Sequence, residues 1–289
     1  AESNSMNEAA KKLFVSQPNL SATVREVEEE LGITVFMRNN RGITVTAEGE
    51  EFLGYAKQVV EQYHLLENRY LNVESKKKFS VSMQHYSFAV KAFVQLAKEV
   101  GMDEYEFAVH ETKTKEVIDN VKNLKSEIGV LYLSDFNEKV LRKLFKECDI
   151  EFKELFTCNT YVYLWKKHPL AGQKEITLDD LQEYPCLTFE QGVNNSFYYA
   201  EEMMSTYEYK RVIKADDRAT MLNLMVGLNG FTLCSGIISE DLNGDDYAAI
   251  PLKESEKMHI GYIKHKGTKL SKLGEIYIDA LKNYENKVL

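Results

Sequence analysis

Phe52, Ala56, Val59, Tyr63, Leu66, Tyr70 and Val73 follow one another at intervals of 4, 3, 4, 3, 4 and 3 residues. A 3.5-residue repeat draws a narrow apolar seam down one side of a helix, the pattern by which two helices wind together. A helix packed only on its own domain carries a wider stripe. Here the other faces hold Glu61, Gln62, Glu67, Asn68, Arg69 and Asn72, with Val60 and Leu65 widening the seam. Residues 46–73 are therefore predicted to form one long helix that pairs with a second copy through Phe52, Ala56, Val59, Tyr63, Leu66 and Tyr70.

Upstream the helical runs are short. Residues 6–14 place Ala9, Ala10 and Leu13 on one face. Ser16-Gln17-Pro18 then reads as a helix start, with a capping hydroxyl and a proline in the first turn, where its missing N–H costs nothing. The helix from about Pro18 to Leu31 is expected to bury Leu20, Val24, Val27 and Leu31 and to stop at Gly32. Two short helices about a tight turn form a helix-turn-helix, whose second helix enters the major groove by its N-terminal end. That end carries Ser16, Gln17, Pro18, Asn19, Ser21, Thr23 and Arg25, several of them able to hydrogen-bond bases or phosphates. Apolar alternation on either side of Asn39-Asn40-Arg41-Gly42 predicts a β-hairpin, a wing whose Arg38, Asn40 and Arg41 face phosphates or the minor groove. Thr46 caps the long helix.

After VESKKKFS, a polar hinge with Lys76 to Lys78, short apolar runs alternate with amphipathic helical stretches, which predicts βαβ units and a parallel sheet. KFSVSMQHY, EYEFAVHET, SEIGVLYL, LTFEQG, FTLC and MHIGYIKH read as strands. SFAVKAFVQLAKEVG, the stretch from about Lys115, NNSFYYAEEMMS, DRATMLNLMVGL and LSKLGEIYIDALKNY read as helices. In open α/β sheets a ligand lies at the carboxyl ends of the strands. Three helices should start there, after Ser87, after Thr114 and after Asn194-Asn195-Ser196, each offering N–H groups and a positive dipole end. The candidate ligand-contacting residues are Tyr86, Ser87, Lys113, Thr114, Ser134, Thr188, Glu190, Asn194, Asn195 and Ser196. They suit a small anion such as a carboxylate-bearing metabolite, and would equally serve as ordinary helix caps. His85, His110 and Glu111 could gather a metal, but histidines near a crevice are more often hydrogen-bonded structure. No metal or cofactor is expected.

Composition bounds these readings. A chain of 289 residues, 44% hydrophobic and 28% charged, has the length of two or three domains and apolar surface for real cores, which excludes a disordered or disulfide-stapled chain. The net charge of −9 repels nucleic acid as a whole, and residues 1–72 hold seven cationic side chains against eleven glutamates. DNA affinity then rests on few phosphate contacts per copy, on several half-sites, and on low salt. The four cysteines are scattered without a CxxC pair, which suits buried thiols in a reducing cytosol. No apolar run approaches a membrane span of about 18 residues, and AESNSMNEAAKK lacks the apolar core of a signal peptide, so a cytoplasmic protein is expected.

AAKKLFVSQPNLSATVREVEEELGITVFMRNNRGITVTAEG resembles the winged helix-turn-helix of LysR-type transcriptional regulators. The match falls on Ala9, Ala10, Leu13, Ser16, Gln17, Pro18, Ser21, Glu28, Leu31, Gly32, Phe36, Arg38, Arg41, Thr46 and Gly49. The family's first helix precedes this point, so the chain is expected to lack most of it. HETKTKEVIDNVKNLKSEIGVLYL, KKHPLAG and MVGLNGFTLC resemble the family's effector-binding domain, with Glu127 at a usual Asp position and Ser235 replacing a proline. The resemblance implies a winged helix-turn-helix over 1–50, a linker and dimerisation helix over 46–73, and an α/β two-lobed effector domain over 79–289, similar to type 2 periplasmic binding proteins. Lobe I would span about 79–157 and 262–289, and lobe II about 158–261. It implies a bacterial transcription regulator, a dimer or tetramer, whose partners are double-stranded DNA, a small-molecule effector and itself, with no membrane and no catalysis. In the family, the hydroxyl at the Thr114 position and those just after the first strand commonly contact the effector. Peroxide-sensing members carry a reactive cysteine where Asn194 stands, so no thiol switch is expected, Cys186 being a poor substitute. The competing class is a small-molecule-binding protein, or an enzyme, on the two-lobed body alone. No P-loop, GxGxxG, GxSxG or HExxH supports the enzyme.

Overall fold

A computed structural model describes residues 3, 5–39, 42–70, 76–101, 104–194 and 196–284, which fall into two compact units, residues 1–74 and 75–289. In the first, α1 (Met6–Lys12) is capped by Ser5 and α2 (Gln17–Leu31) by Ser16, whose Oγ accepts the Asn19 N–H at 3.3 Å. Gly32, at φ 68°, closes α2 in the left-handed conformation that glycine adopts without strain. β1 (Phe36–Asn39) and β2 (Gly42–Val45) form the antiparallel hairpin, followed by α3 (Ala47–Tyr70). Glu28 ties α2 to the hairpin, its Oε1 accepting the N–H groups of Val35 (2.7 Å) and Phe36 (2.9 Å). Thr46 accepts the Gly49 N–H at 2.8 Å. A Cβ on Gly49 would stand 2.3 Å from the Val35 carbonyl oxygen, so this helix start admits no side chain. Leu20, Val24 and Val27 are half-buried, whereas Leu31, expected in the core, is 50% exposed. The seven residues of α1 reach about 10 Å and the fifteen of α2 about 22 Å, so the last turn of α2 outruns its neighbour.

The second unit holds β3 (Lys77–Met83), α4 (Ser87–Val100), β4 (Tyr105–Glu111), α5 (Thr114–Lys122), β5 (Ile128–Leu133), α6 (Glu138–Glu147) and β6 (Ile150–Cys158). It continues with β7 (Tyr161–Trp165), β8 (Cys186–Phe189), β9 (Val212–Ala215), α7 (Arg218–Leu228), β10 (Phe231–Cys234), α8 (Glu240–Asn243), β11 (Tyr247–Pro251), β12 (Met258–His265) and α9 (Lys272–Lys282). Among the described residues these build two five-stranded sheets, β4-β3-β5-β12-β6 and β11-β7-β10-β8-β9, one per lobe. β5 is buried along its whole length, as a central strand covered on both faces must be. Val117, Ile118 and Val121 of α5 cover one side, while Phe88, Ala92 and Leu96 of α4 pack in the larger core with Tyr277 of α9.

Two expectations need correction. The sheets are mixed, not parallel: β12 runs antiparallel to β5 and β6, and β7 antiparallel to β10 and β11. The chain leaves the first sheet at Cys158 and re-enters at Met258, so the returning strand opposes β5. The predicted helix over NNSFYYAEEMMS is reduced to a single tight turn at Phe197–Tyr199, because Glu201 and Glu202 turn inward and bond to groups distant in sequence. The Asp-position residue Glu127 accepts the Ser271 N–H (2.7 Å) and hydroxyl (2.8 Å) at the start of α9. In the HPLA loop, the His168 ring holds the Leu170 N–H and the Asn229 carbonyl. Both motifs are structural.

Candidate functional site

On the first turns of α2, Ser16, Pro18, Asn19, Thr23 and Arg25 are exposed, and Gln17 and Ser21 half-buried. Gln17 Nε2 donates to Ser21 Oγ at 2.7 Å, the Thr23 hydroxyl to the Asn19 carbonyl at 3.1 Å, and Arg25 pairs with Glu29 at 2.7 Å. Each side chain is thus held by a neighbour one turn away, which limits its rotamers while leaving the face open to solvent. Arg38 lies on β1 opposite Ile43; its side chain, Asn40 and Arg41 lie outside the described residues. Along α3, Val59 (69%), Tyr63 (57%) and Leu66 (57%) are solvent-exposed, with Tyr55, Val60 and Leu65 beside them, while Phe52 and Ala56 are half-buried. The Tyr70 side chain and Val73 lie outside the described residues.

In the second unit, the turn between β3 and α4 faces α7 and β10 across a cavity of about 90 Å³. Its wall includes His85, Tyr86, Ser87 and Phe88 from one lobe and Phe189, Arg218, Met221, Met225 and Thr232 from the other. His85 Nδ1 lies 2.8 Å and its backbone N 2.9 Å from Glu201 Oε2, with the ring stacked on Phe189 at a centroid distance of 3.7 Å. Gln191 Nε2 donates to the other oxygen of Glu201 at 2.9 Å. Glu202 accepts the Phe189 N–H at 2.8 Å. Burial first, then the neighbouring Glu201 charge, push the Glu202 carboxyl up to about 8, so it is protonated at neutral pH. Three further ion pairs cross between the lobes: Glu111 with Arg218, Lys113 with Asp216, and Lys91 with Asp241.

Of the predicted effector residues, Tyr86 and Ser87 reach this cavity, and the Tyr86 hydroxyl donates to Gln84 at 2.9 Å. Thr114 does not line it. Its hydroxyl accepts from Gln84 Nε2 (2.6 Å) and donates to the Tyr199 carbonyl (2.8 Å), and its N–H is taken by Gln191 Oε1 (3.1 Å). Lys113 lies 3.4 Å from Asp216. Ser134 closes a turn with Asn137, and Glu190 accepts the Gly192 N–H with Lys214 alongside. Thr188 is within β8, Asn194 and Ser196 belong to the loop beyond it, and Asn195 lies outside the described residues. Helices α4 and α5 do begin where predicted, at Ser87 and Thr114, but no α-helix starts after Ser196. The cavity residues that spacing did not reveal include Phe189, Glu201, Glu202, Arg218, Met221, Met225 and Thr232. Their one sequence signal was the Glu201-Glu202 doublet following the aromatic run Phe197-Tyr198-Tyr199. His85, His110 and Glu111 do not converge, since His85 meets Glu201 and Glu111 meets Arg218. Among the described residues no cluster of three His, Cys, Asp or Glu side chains could hold a metal ion.

Comparison with known proteins identifies this arrangement. Residues 1–50 match the family model described as bacterial regulatory helix-turn-helix protein, lysR family. Residues 102–285 match the LysR substrate binding domain. The chain is 26% identical over 301 residues to the HTH-type transcriptional regulator CysL of Bacillus subtilis (strain 168), covering 100% of this chain and 95% of that one. It is 21% identical over 297 residues to the HTH-type transcriptional regulator TdcA of Escherichia coli (strain K12), covering 98% and 89%. Its fold matches a full-length OxyR variant from Pseudomonas aeruginosa with a TM-score of 0.69 at 17% identity, over 96% of this chain and 90% of that one. It also matches HinK, a LysR family transcriptional regulator from the same species, with a TM-score of 0.51 at 18% identity, over 100% and 95%. The winged helix-turn-helix head, the seamed helix and the two-lobed body are thus those of a DNA-binding transcriptional regulator, and the chain belongs to the LysR family.

Proposed function

We propose that this regulator binds double-stranded DNA as a dimer or tetramer, reads bases with the first two turns of α2, and is switched by a small molecule held between its lobes. Residues 1–50 form the DNA-binding head, 46–73 the pairing helix and 79–289 the effector domain, with lobe I at about 79–157 and lobe II from about 158; the return to lobe I, expected at 262, falls at Met258, where β12 enters the first sheet. The observation that carries the reading is the solvent-facing polar turn of α2, with Ser16 as its cap and Gln17 braced by Ser21. Gln17, Asn19, Ser21 and Thr23 are the base-edge candidates. Ser16, Pro18, Arg25, Arg38, Asn40 and Arg41 position the head on the backbone. With acidic residues outnumbering basic ones in the head and its helix, one copy has few phosphate contacts, and pairing through the α3 seam multiplies them. A protein whose partner is promoter DNA works in the bacterial cytoplasm, and it needs neither a membrane nor a catalysed reaction. Among the described residues no helix is long and apolar enough to cross a bilayer.

The test is capture of sheared genomic DNA from the source organism on the full chain at low salt, followed by sequencing. Discrete fragments should be enriched, and their affinity should fall about tenfold or more in the Gln17→Ala/Thr23→Ala double variant with helix content unchanged. Enrichment of the same fragments with equal affinity by that variant would dismiss α2 as the reading element.

A further inference from the structure

We infer that the cavity between the lobes takes a small uncharged molecule with an apolar body, and not an anion. This rests on the cavity being the effector site, as proposed above.

The argument begins with charge. Most positive stations beside the cleft already face an acceptor of this chain. The N-terminus of α5 is closed by the side-chain oxygen of Gln191, 3.1 Å from the Thr114 N. Lys113 faces Asp216 and Arg218 is paired with Glu111. An incoming carboxylate would have to compete with these partners: the mostly exposed Asp216 gives way cheaply, whereas Glu111, 26% exposed, loses a half-buried partner when Arg218 is taken from it. The start of α4 carries no side-chain cap and is open to an acceptor, but Glu201 and Glu202 share its wall. An anion there would face the Glu201 charge, whereas a neutral carbonyl would take the dipole end without that repulsion.

The rest of the wall is apolar. Phe88, Phe189, Met221, Met225, Ile237 and Met258 supply it. Thr232 and Tyr163 are direct neighbours across β10 and β7 and both belong to the lining. Both hydroxyls are buried; that of Thr232 has no hydrogen-bond partner among the described residues, and that of Tyr163 has Asn243 beside it. A buried hydroxyl left unpaired favours a guest that carries one polar group. The volume, about 90 Å³, is smaller than the ~150 Å³ of an engineered cavity that holds benzene. In proportion it encloses about three or four non-hydrogen atoms, the size of an isopropyl group.

Isobutyramide and isobutyrate match each other in size and differ in charge. With ¹³C-methyl methionine in the full chain, the methyl signals of Met221, Met225 and Met258 report on the cavity, each identified by its Met→Leu variant. Isobutyramide should shift the Met221 and Met225 signals at concentrations where isobutyrate leaves them in place. Glu111→Gln removes the partner of Arg218, and should strengthen isobutyrate binding about tenfold. Isobutyrate shifting these signals as readily as the amide in the unaltered chain would overturn the inference and leave the cavity as the effector site. Neither probe shifting them would overturn both. A Glu111→Gln variant with an otherwise native methyl spectrum and no gain in isobutyrate binding would overturn the charge argument itself.

Discussion

Glu202 contributes a pH dependence to the effector body, and Glu202→Gln isolates it. Burial, then Glu201, raise its carboxyl from an ordinary 4.5 to about 8. The folded protein therefore keeps a proton that the unfolded chain releases near 4.5. Between roughly 4.5 and 8 the folded state binds more protons, so stability falls as pH rises, and the loss is complete above about 8. At about 1.4 kcal/mol per pH unit, the upper bound on that loss is about 5 kcal/mol. Glutamine preserves the shape and the acceptor for the Phe189 N–H while removing the ionisation. Urea unfolding can be followed through Trp165, the single tryptophan, which lies on β7. Subtracting the variant from the parent at each pH cancels the other titrating groups. The two should agree within about 1 kcal/mol at pH 5, and the variant should be about 2–4 kcal/mol more stable at pH 9. A difference that does not change with pH, or a variant that is weaker at pH 9, would refute the buried, protonated carboxyl.

Three further outcomes are expected. Gly49→Ala puts a methyl 2.3 Å from the Val35 carbonyl oxygen and 2.9 Å from its Cα, backbone that cannot give way, and should cost the first unit about 1–3 kcal/mol; unchanged amide protection in α2 and the hairpin would contradict this. Leu66→Glu places a charge on the exposed α3 seam and should weaken self-association about tenfold or more in sedimentation velocity, which an unaltered oligomer would exclude. Burial raises all four thiols, Cys158 and Cys234 to about 12 and Cys148 and Cys186 upward as well, so at pH 8 Cys148, half-exposed and short of that height, should react first with Ellman's reagent and the buried Cys158 and Cys186 only on unfolding.

Elements governed by local rules were legible in the sequence. The ends of α2 follow from the Ser16 cap with Pro18 and from Gly32, signals lying within the helix's own turns. The 3.5-residue seam predicted α3, and an unbroken apolar run predicted β5. Strand direction was not legible. Nothing local in MHIGYIKH states that it must enter between β5 and β6 from the opposite side; that follows from where the chain had been for the previous hundred residues. The stretch NNSFYYAEEMMS contains good helix formers, yet a bond from Glu201 to His85, 116 residues earlier, and one from Glu202 to Phe189 hold it in turns. Propensities of a few tenths of a kcal/mol per residue yield to such anchors. The same reason separates the predicted effector residues from the cavity. The start of α5 was placed correctly, but its acceptor is Gln191, 77 residues onward.

These anchors also bear on how the body can switch. Lys91–Asp241 and Lys113–Asp216 include aspartates that are mostly exposed, and such pairs contribute little. His85–Glu201 is different, with side chains 6% and 3% exposed and the ring stacked on Phe189. Parting the lobes there would leave a charge without its partner until water reached it. A ligand changes the balance between arrangements of the lobes only through its unequal affinity for them. A molecule held in the cavity of about 90 Å³ would touch His85, Tyr86 and Ser87 of one lobe and Phe189 and Met221 of the other, so it should favour the present arrangement over any that parts the lobes and removes half of those contacts.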